Sequence, residues 1–177
     1  MLRYIFRGLI DGSLSALGVV IGAQSASIGV IIAAGIGGGI ANGLSNILGA
    51  FTAEKSEAER KLAEIQKAMI VHPELRKTEL YRDMLKSTIL SGLADGVATI
   101  IGSLIPVIPF ALALILHINK TDALIMAIVL TLALLFAIGG YMGKISKGNL
   151  ILSGFKMAVA GIATALICTL IEKWIPT

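Results

Sequence analysis

Residues 89–116 read ILSGLADGVATIIGSLIPVIPFALALIL, an apolar stretch whose one charge is Asp95. As an α-helix rising 1.5 Å per residue it is roughly 40 Å long, more than the ~30 Å of hydrocarbon a bilayer presents. A helix satisfies its backbone hydrogen bonds without water, so this stretch predicts a transmembrane helix. Four further runs share its character: Tyr4–Ala23, Ile28–Phe51, Ala123–Met142 and Leu150–Ile171. The expected fold is all-α, a polytopic membrane protein of five transmembrane helices with its termini on opposite sides of the lipid bilayer. Composition agrees: 56% hydrophobic and 15% charged residues, with a mean hydropathy of +0.89, exceed what one soluble core of 177 residues can bury. The 20 glycines beside only 5% aromatics point to helices packed through small residues.

Three segments follow: a first transmembrane hairpin over 1–52, a cytosolic helical segment over 53–88, and spans three to five over 89–177. Between Glu54 and Lys86 charges of both signs alternate, while Leu62, Ile65 and Met69 recur at helical spacing, which predicts a short cytosolic helical extension. His72–Pro73 is expected to break it, with a second helix from about Glu74 running into the third span. Arg3, Arg7, eight Lys or Arg between Ala53 and Thr88, Lys144 and Lys147 fall on one side; Lys120 and Lys173 fall on the other. That asymmetry predicts a cytoplasmic N-terminus and an outside C-terminus. Lys156, near the start of the fifth span, can snorkel to the same interface.

Arg3, Arg7 and the apolar run Leu14–Ala23 imitate a secretory signal peptide, but Asp11 within that segment argues for a retained span. With no organelle signal evident, the expected location is a prokaryotic plasma membrane. The formal net charge of +4 comes without interleaved aromatics or a nucleic-acid motif, so it is read as membrane topology and no nucleic-acid partner is expected. Cys168 is alone in an apolar run, which leaves no intramolecular disulfide and no cysteine metal spacing. A Ser/His/Asp set, a P-loop, a dinucleotide fingerprint and a His-Glu-x-x-His helix are all missing, and His72 and His117 are the only histidines. Neither enzymatic activity nor a cofactor is expected.

Asp11 and Asp95 stand out because a carboxylate inside a span is costly and tends to line a cavity or an ion pathway. They also belong to an internal repeat: Gly8-Leu9-Ile10-Asp11-Gly12 returns as Gly92-Leu93-Ala94-Asp95-Gly96, and Leu48-Gly49-Ala50-Phe51 loosely as Ile138-Gly139-Gly140-Tyr141. Two hairpins of like orientation are implied, with a substrate site between them. Asn42 and Asn46 offer amide groups for an ion path or an interhelical hydrogen bond. Gly35, Gly39 and Gly43, four residues apart, form a smooth stripe for helix packing or a dimer interface. Pro106 and Pro109 remove backbone donors from the third span and are expected to kink it. In the extension, Glu54, Glu57, Glu59 and Glu64, with His72, Glu79 and Asp83, can gather a divalent metal if two helices fold together; the nearly equal number of Lys and Arg favours a salt-bridged surface instead. Met126, Met142 and Met157 are read as gap fillers.

The residues resemble the vacuolar iron transporter family, of which this chain reads as a divergent prokaryotic-type member. The resemblance is carried by Asp11-Gly12, by Gly43-Leu44-Ser45 through Gly49, by Lys55-Ser56, and most specifically by residues 102–109, GSLIPVIP. It implies a five-span homodimer that exports Fe2+ or Mn2+ from the cytosol in exchange for protons, with an ion path at the dimer interface. Asp11 matches the family's acidic residue in the first span; where the family carries Met and Glu in the second, this chain has Asn46 and Ala50. Glu59 and Glu64 fall where the family's acidic cytosolic helix begins. The expected function is export of a divalent cation bound by Asp11 and Asp95 with Asn42 or Asn46, metal and proton competing for the same oxygens. The alternatives are a non-transporting membrane scaffold or sensor subunit, favoured by Asn46 and Ala50, and a transporter of another cation or small solute.

Overall fold

The computed structural model describes residues 2–69 and 79–174. They form five helices: α1 (Leu2–Gly22), α2 (Ile28–Met69), α3 (Glu79–Leu116), α4 (Lys120–Ile145) and α5 (Leu150–Trp174). Each is long and apolar enough to cross a membrane. Large apolar side chains such as Ile40, Leu48, Ile101, Ile115, Val129 and Ile151 are exposed on the outside of the bundle, as a lipid-facing surface requires.

The five expected spans coincide with the five helices, and α3 enters the third span from the cytosolic segment as expected, but the first part of that segment is not a separate helical extension. No separate helix stands between the second and third spans among the described residues. Residues 54–69 continue α2, which reaches 42 residues, and α3 begins ten residues before the apolar stretch and reaches 38. At 1.5 Å per residue α2 is roughly 63 Å long, about twice the hydrocarbon thickness. The physical reason is that no Gly or Pro lies between Phe51 and Met69 to stop the helix, and a run of Glu, Lys, Arg and Ala propagates one well. The expected break at His72–Pro73 lies outside the described residues.

Helix α3 is central, packed chiefly on α1 and α2, while α4 carries α5 on the outside. Glycine decides both α3 contacts. A Cβ on Gly8 would meet the Asp95 carbonyl oxygen, one on Gly12 the Thr99 carbonyl oxygen, and one on Gly102 the Leu9 carbonyl oxygen. The order of these contacts makes α1 and α3 a parallel pair, joined where the repeated Gly-x-x-Asp-Gly segments lie. We expect Gly12→Ala to destabilise the bundle by about 1–3 kcal/mol, because the carbonyl it strikes is held in a helix and cannot yield; unfolding in detergent micelles checks this.

The stripe Gly35, Gly39, Gly43 faces α3 within the same chain. Its absent side chains admit Val107, Ser103, and Ile100 with the Gly96 carbonyl, respectively. Helix α3 continues through Pro106 and Pro109, both buried, into a core of Val20, Ile31, Val107, Phe110, Ala113, Ala123 and Ala127. This core lies toward the end where α1 turns into α2. There Gln24 Nε2 donates to Glu172 Oε2 at 2.6 Å and Lys120 Nζ to the Ala26 carbonyl at 3.2 Å. At the other end Phe6 stacks on Tyr141, ring centroids 5.2 Å apart, beside the cluster of basic residues.

Candidate functional site

The polar groups of the bundle gather at the crossing of α1, α2 and α3. Asp11 sits nine residues along α1, about 14 Å from its first residue. Its Oδ2 accepts two amide hydrogens, from Asn46 Nδ2 at 2.7 Å and Asn42 Nδ2 at 3.1 Å. The same amides extend the network: Asn42 Nδ2 to Ser15 Oγ at 3.1 Å, and Asn46 Nδ2 to Thr99 Oγ1 at 2.9 Å, whose hydroxyl in turn donates to the Asp95 carbonyl at 2.9 Å. Asn42 and Asn46 lie one turn apart on α2, so both reach one oxygen on α1; Gly8 and Gly12 let α3 come near enough to add Thr99.

Asp95 is placed apart from that oxygen cluster. It is completely buried, and its two oxygens are taken by Arg7 in a forked ion pair, Nε to Oδ1 at 3.0 Å and Nη2 to Oδ2 at 2.6 Å. The Arg7 side chain is 60% exposed, and its guanidinium lies over the Tyr4 ring at 5.5 Å. Arg7 and Asp95 therefore cancel each other's charge, and Asp11 leaves the cluster with a net charge of −1.

A cavity of about 390 Å³ leads to Asp11, lined by Arg7, Asp11, Asn46, Gly49, Ala50 and Ala53. Ala53, exposed on the extended part of α2, marks its mouth at the basic end. Asp95 is not part of the lining; the Arg7 guanidinium stands between. Asp11, Asn42 and Asn46 are thus brought together as the sequence suggested. Arg7, Ser15 and Thr99 were not singled out there as site residues, although Arg7 carries a charge one helical turn before Asp11 and could have been matched to one of the two acids.

The acidic residues of the extension do not join this site. Arg60 Nη1 bonds Glu64 at 2.6 Å, its Nε and Nη2 bond Glu57 at 2.9 and 2.8 Å, and Lys61 lies 3.6 Å from Glu57. These are solvent-screened surface pairs along one helix, three and four residues apart, which add little to the fold. Glu59 is half-buried on the same helix; the side chain of Glu54, with His72, Glu79 and Asp83, lies outside those described. Among the described residues no three of His, Cys, Asp and Glu gather as a metal cluster would. The oxygen cluster holds one carboxylate, with amides and hydroxyls around it.

The family model described as the VIT family matches residues 2–83 and 68–173. An uncharacterized protein of the archaeon Methanocaldococcus jannaschii is 56% identical over 173 residues, which covers 97% of this chain and 88% of the archaeal protein.

Proposed function

The chain belongs to the VIT family, the vacuolar iron transporters, and from that premise we propose that it exports a divalent metal cation, Fe2+ or Mn2+, from the cytosol in exchange for protons. Members of the family are transporters, not enzymes, and a bundle of five long apolar helices is consistent with a membrane transporter of that type. The observation that carries the reading is Asp11: an intramembrane carboxylate at the foot of a cavity, held by two amides and, among the described residues, with no ion pair of its own, the Arg7 guanidinium on the same cavity wall being taken by Asp95.

Rotating the Asn42 and Asn46 amides by 180° exchanges Nδ2 for Oδ1 and turns the donors around Asp11 Oδ2 into acceptors. A cation there meets oxygen only, from Asp11, Asn42 and Asn46, with the Ser15 and Thr99 hydroxyls behind them. Such a set favours Mn2+, Fe2+ and Mg2+ over soft ions that need sulfur. One carboxylate also keeps binding weak enough for release, which a carried ion needs and a resident cofactor does not.

Access supports exchange as well. The cavity reaches Asp11 from the basic end, while Val20, Ile31, Val107 and Phe110, at most 3% exposed, fill the bundle beyond it. A proton delivered to Asp11 displaces the cation from the same oxygens. In this reading the basic end is cytosolic, the N-terminus with it, in a prokaryotic plasma membrane. A second copy seated on the exposed α2 residues Ile40, Leu44 and Leu48 would complete the cavity wall as a homodimer.

Thermal unfolding of the purified protein tests the metal. At about a hundred times its dissociation constant, a carried ion adds about 2.7 kcal/mol, a rise of roughly 5–10 °C for a chain of this size. Mn2+ and Fe2+ are expected to give it, Zn2+ and Co2+ less. No response to any of these or to Mg2+ would favour the non-transporting scaffold, and a response to Mg2+ alone would favour another cation.

A further inference from the structure

We propose that a notch between α4 and α5 binds the phosphate group of an anionic phospholipid, with Lys156 as its counter-charge. Lys156 lies six residues into α5, about 9 Å from the helix start. It is exposed on a helix whose other early residues are Leu150, Ile151, Leu152 and Phe155, so it projects from a lipid-facing surface. Among the described residues no carboxylate pairs with it, whereas Arg7, the other cation set inside a span, has Asp95. An ammonium at this depth takes its counter-charge from outside the bundle, and the nearest anionic groups in a bilayer are lipid phosphates.

The notch around it has a shape and chemistry to match. It encloses about 260 Å³ and is lined by Gly139, Met142 and Gly143 of α4, by Ser146 just past the end of that helix, and by Ser153 and Met157 beside Lys156 on α5. The glycines let the helices touch beneath it: a Cβ on Gly139 would lie 2.7 Å from Met157 Cγ, and one on Gly143 2.6 Å from Ser153 Oγ. Ser146 Oγ donates to the Met142 carbonyl, whereas Ser153 Oγ donates to no described residue and is available to a phosphate oxygen. Lys144 and Lys147 stand exposed at the same end, completing a basic rim of the kind that holds anionic headgroups between transmembrane helices. The methionine wall suits the start of an acyl chain.

The test is native mass spectrometry of the full chain released from nanodiscs of phosphatidylcholine containing phosphatidylglycerol. The wild type is expected to retain phosphatidylglycerol selectively. Lys156→Leu, which leaves the span more apolar and so does not hinder insertion, is expected to weaken that retention roughly tenfold, the loss of one charge-assisted hydrogen bond; Lys156→Arg is expected to keep it. Equal retention of both lipids, or unchanged selectivity in Lys156→Leu, overturns the proposal in favour of a lysine that merely reaches water. Displacement of the lipid by millimolar inorganic phosphate overturns the lipid assignment in favour of free phosphate. Loss of a dimer in Lys156→Leu at unchanged lipid retention overturns it in favour of a carboxylate on a second copy.

Discussion

Replacing Asp11 by Asn is expected to lower metal-driven proton movement in proteoliposomes by about a hundredfold. The change keeps size and shape, so the site stays assembled; what disappears is the net −1 charge of the α1–α2–α3 crossing, since Arg7 and Asp95 already cancel. Losing the one carboxylate in contact with the cation weakens binding by about 3 kcal/mol, the strength of a charge-assisted contact, and 1.4 kcal/mol is a factor of ten. It also removes the group whose protonation would drive release. Folding is not at risk, because a neutral amide is cheaper to hold in a bilayer than a carboxylate. Transport by Asp11→Asn at the wild-type rate would remove the exchange mechanism; Asn42→Ala and Asn46→Ala at wild-type rates would leave Asp11 as the sole determinant.

Arg7→Met is the second large effect, and it acts on stability. Asp95 is completely buried with both oxygens on the guanidinium. Removing the partner leaves a charge, or a proton taken up to neutralise it, on a buried carboxyl, at a cost of about 1–3 kcal/mol, less than for a pair buried on both sides because Arg7 is itself 60% exposed. Asp95→Asn is expected to cost less, because Arg7 is 60% exposed and its head can reach the water of the cavity. The double variant Arg7→Met, Asp95→Leu is expected to recover much of the loss, as buried ion pairs replaced whole by apolar groups do. Unfolding of the three variants in one detergent measures this cycle; an Arg7→Met protein as stable as the wild type would show that the pair holds nothing together.

These two residues show how far the chain could be read from its letters. Asp11 and Asp95 look alike in sequence, each inside the same Gly-x-x-Asp-Gly segment, and were expected to share one role. In the bundle they differ because their helices do. Helix α1 presents Asp11 to the two asparagines of α2, while α3, lying in the middle, turns Asp95 inward beneath Arg7. The repeat was legible; the asymmetry of its surroundings was not. The glycine stripe behaves similarly: spacing of four residues reveals a smooth face, but whether another chain or α3 occupies it is a matter of which helix arrives there. Arg7 was counted toward orientation and the likeness to a signal peptide but not toward a site, because its partner lies 88 residues away.

The number of helices, their apolar cores and the short list of polar groups within the spans are legible in the letters of the chain. Those follow from local quantities: hydrocarbon thickness, helix rise and the cost of a charge in lipid. Three-dimensional packing settles that α3 is central, that Asp95 and not Asp11 takes Arg7, and that residues 54–69 run on from the second span. Those outcomes depend on which backbones come within contact across glycine, and residues far apart in the chain settle that together.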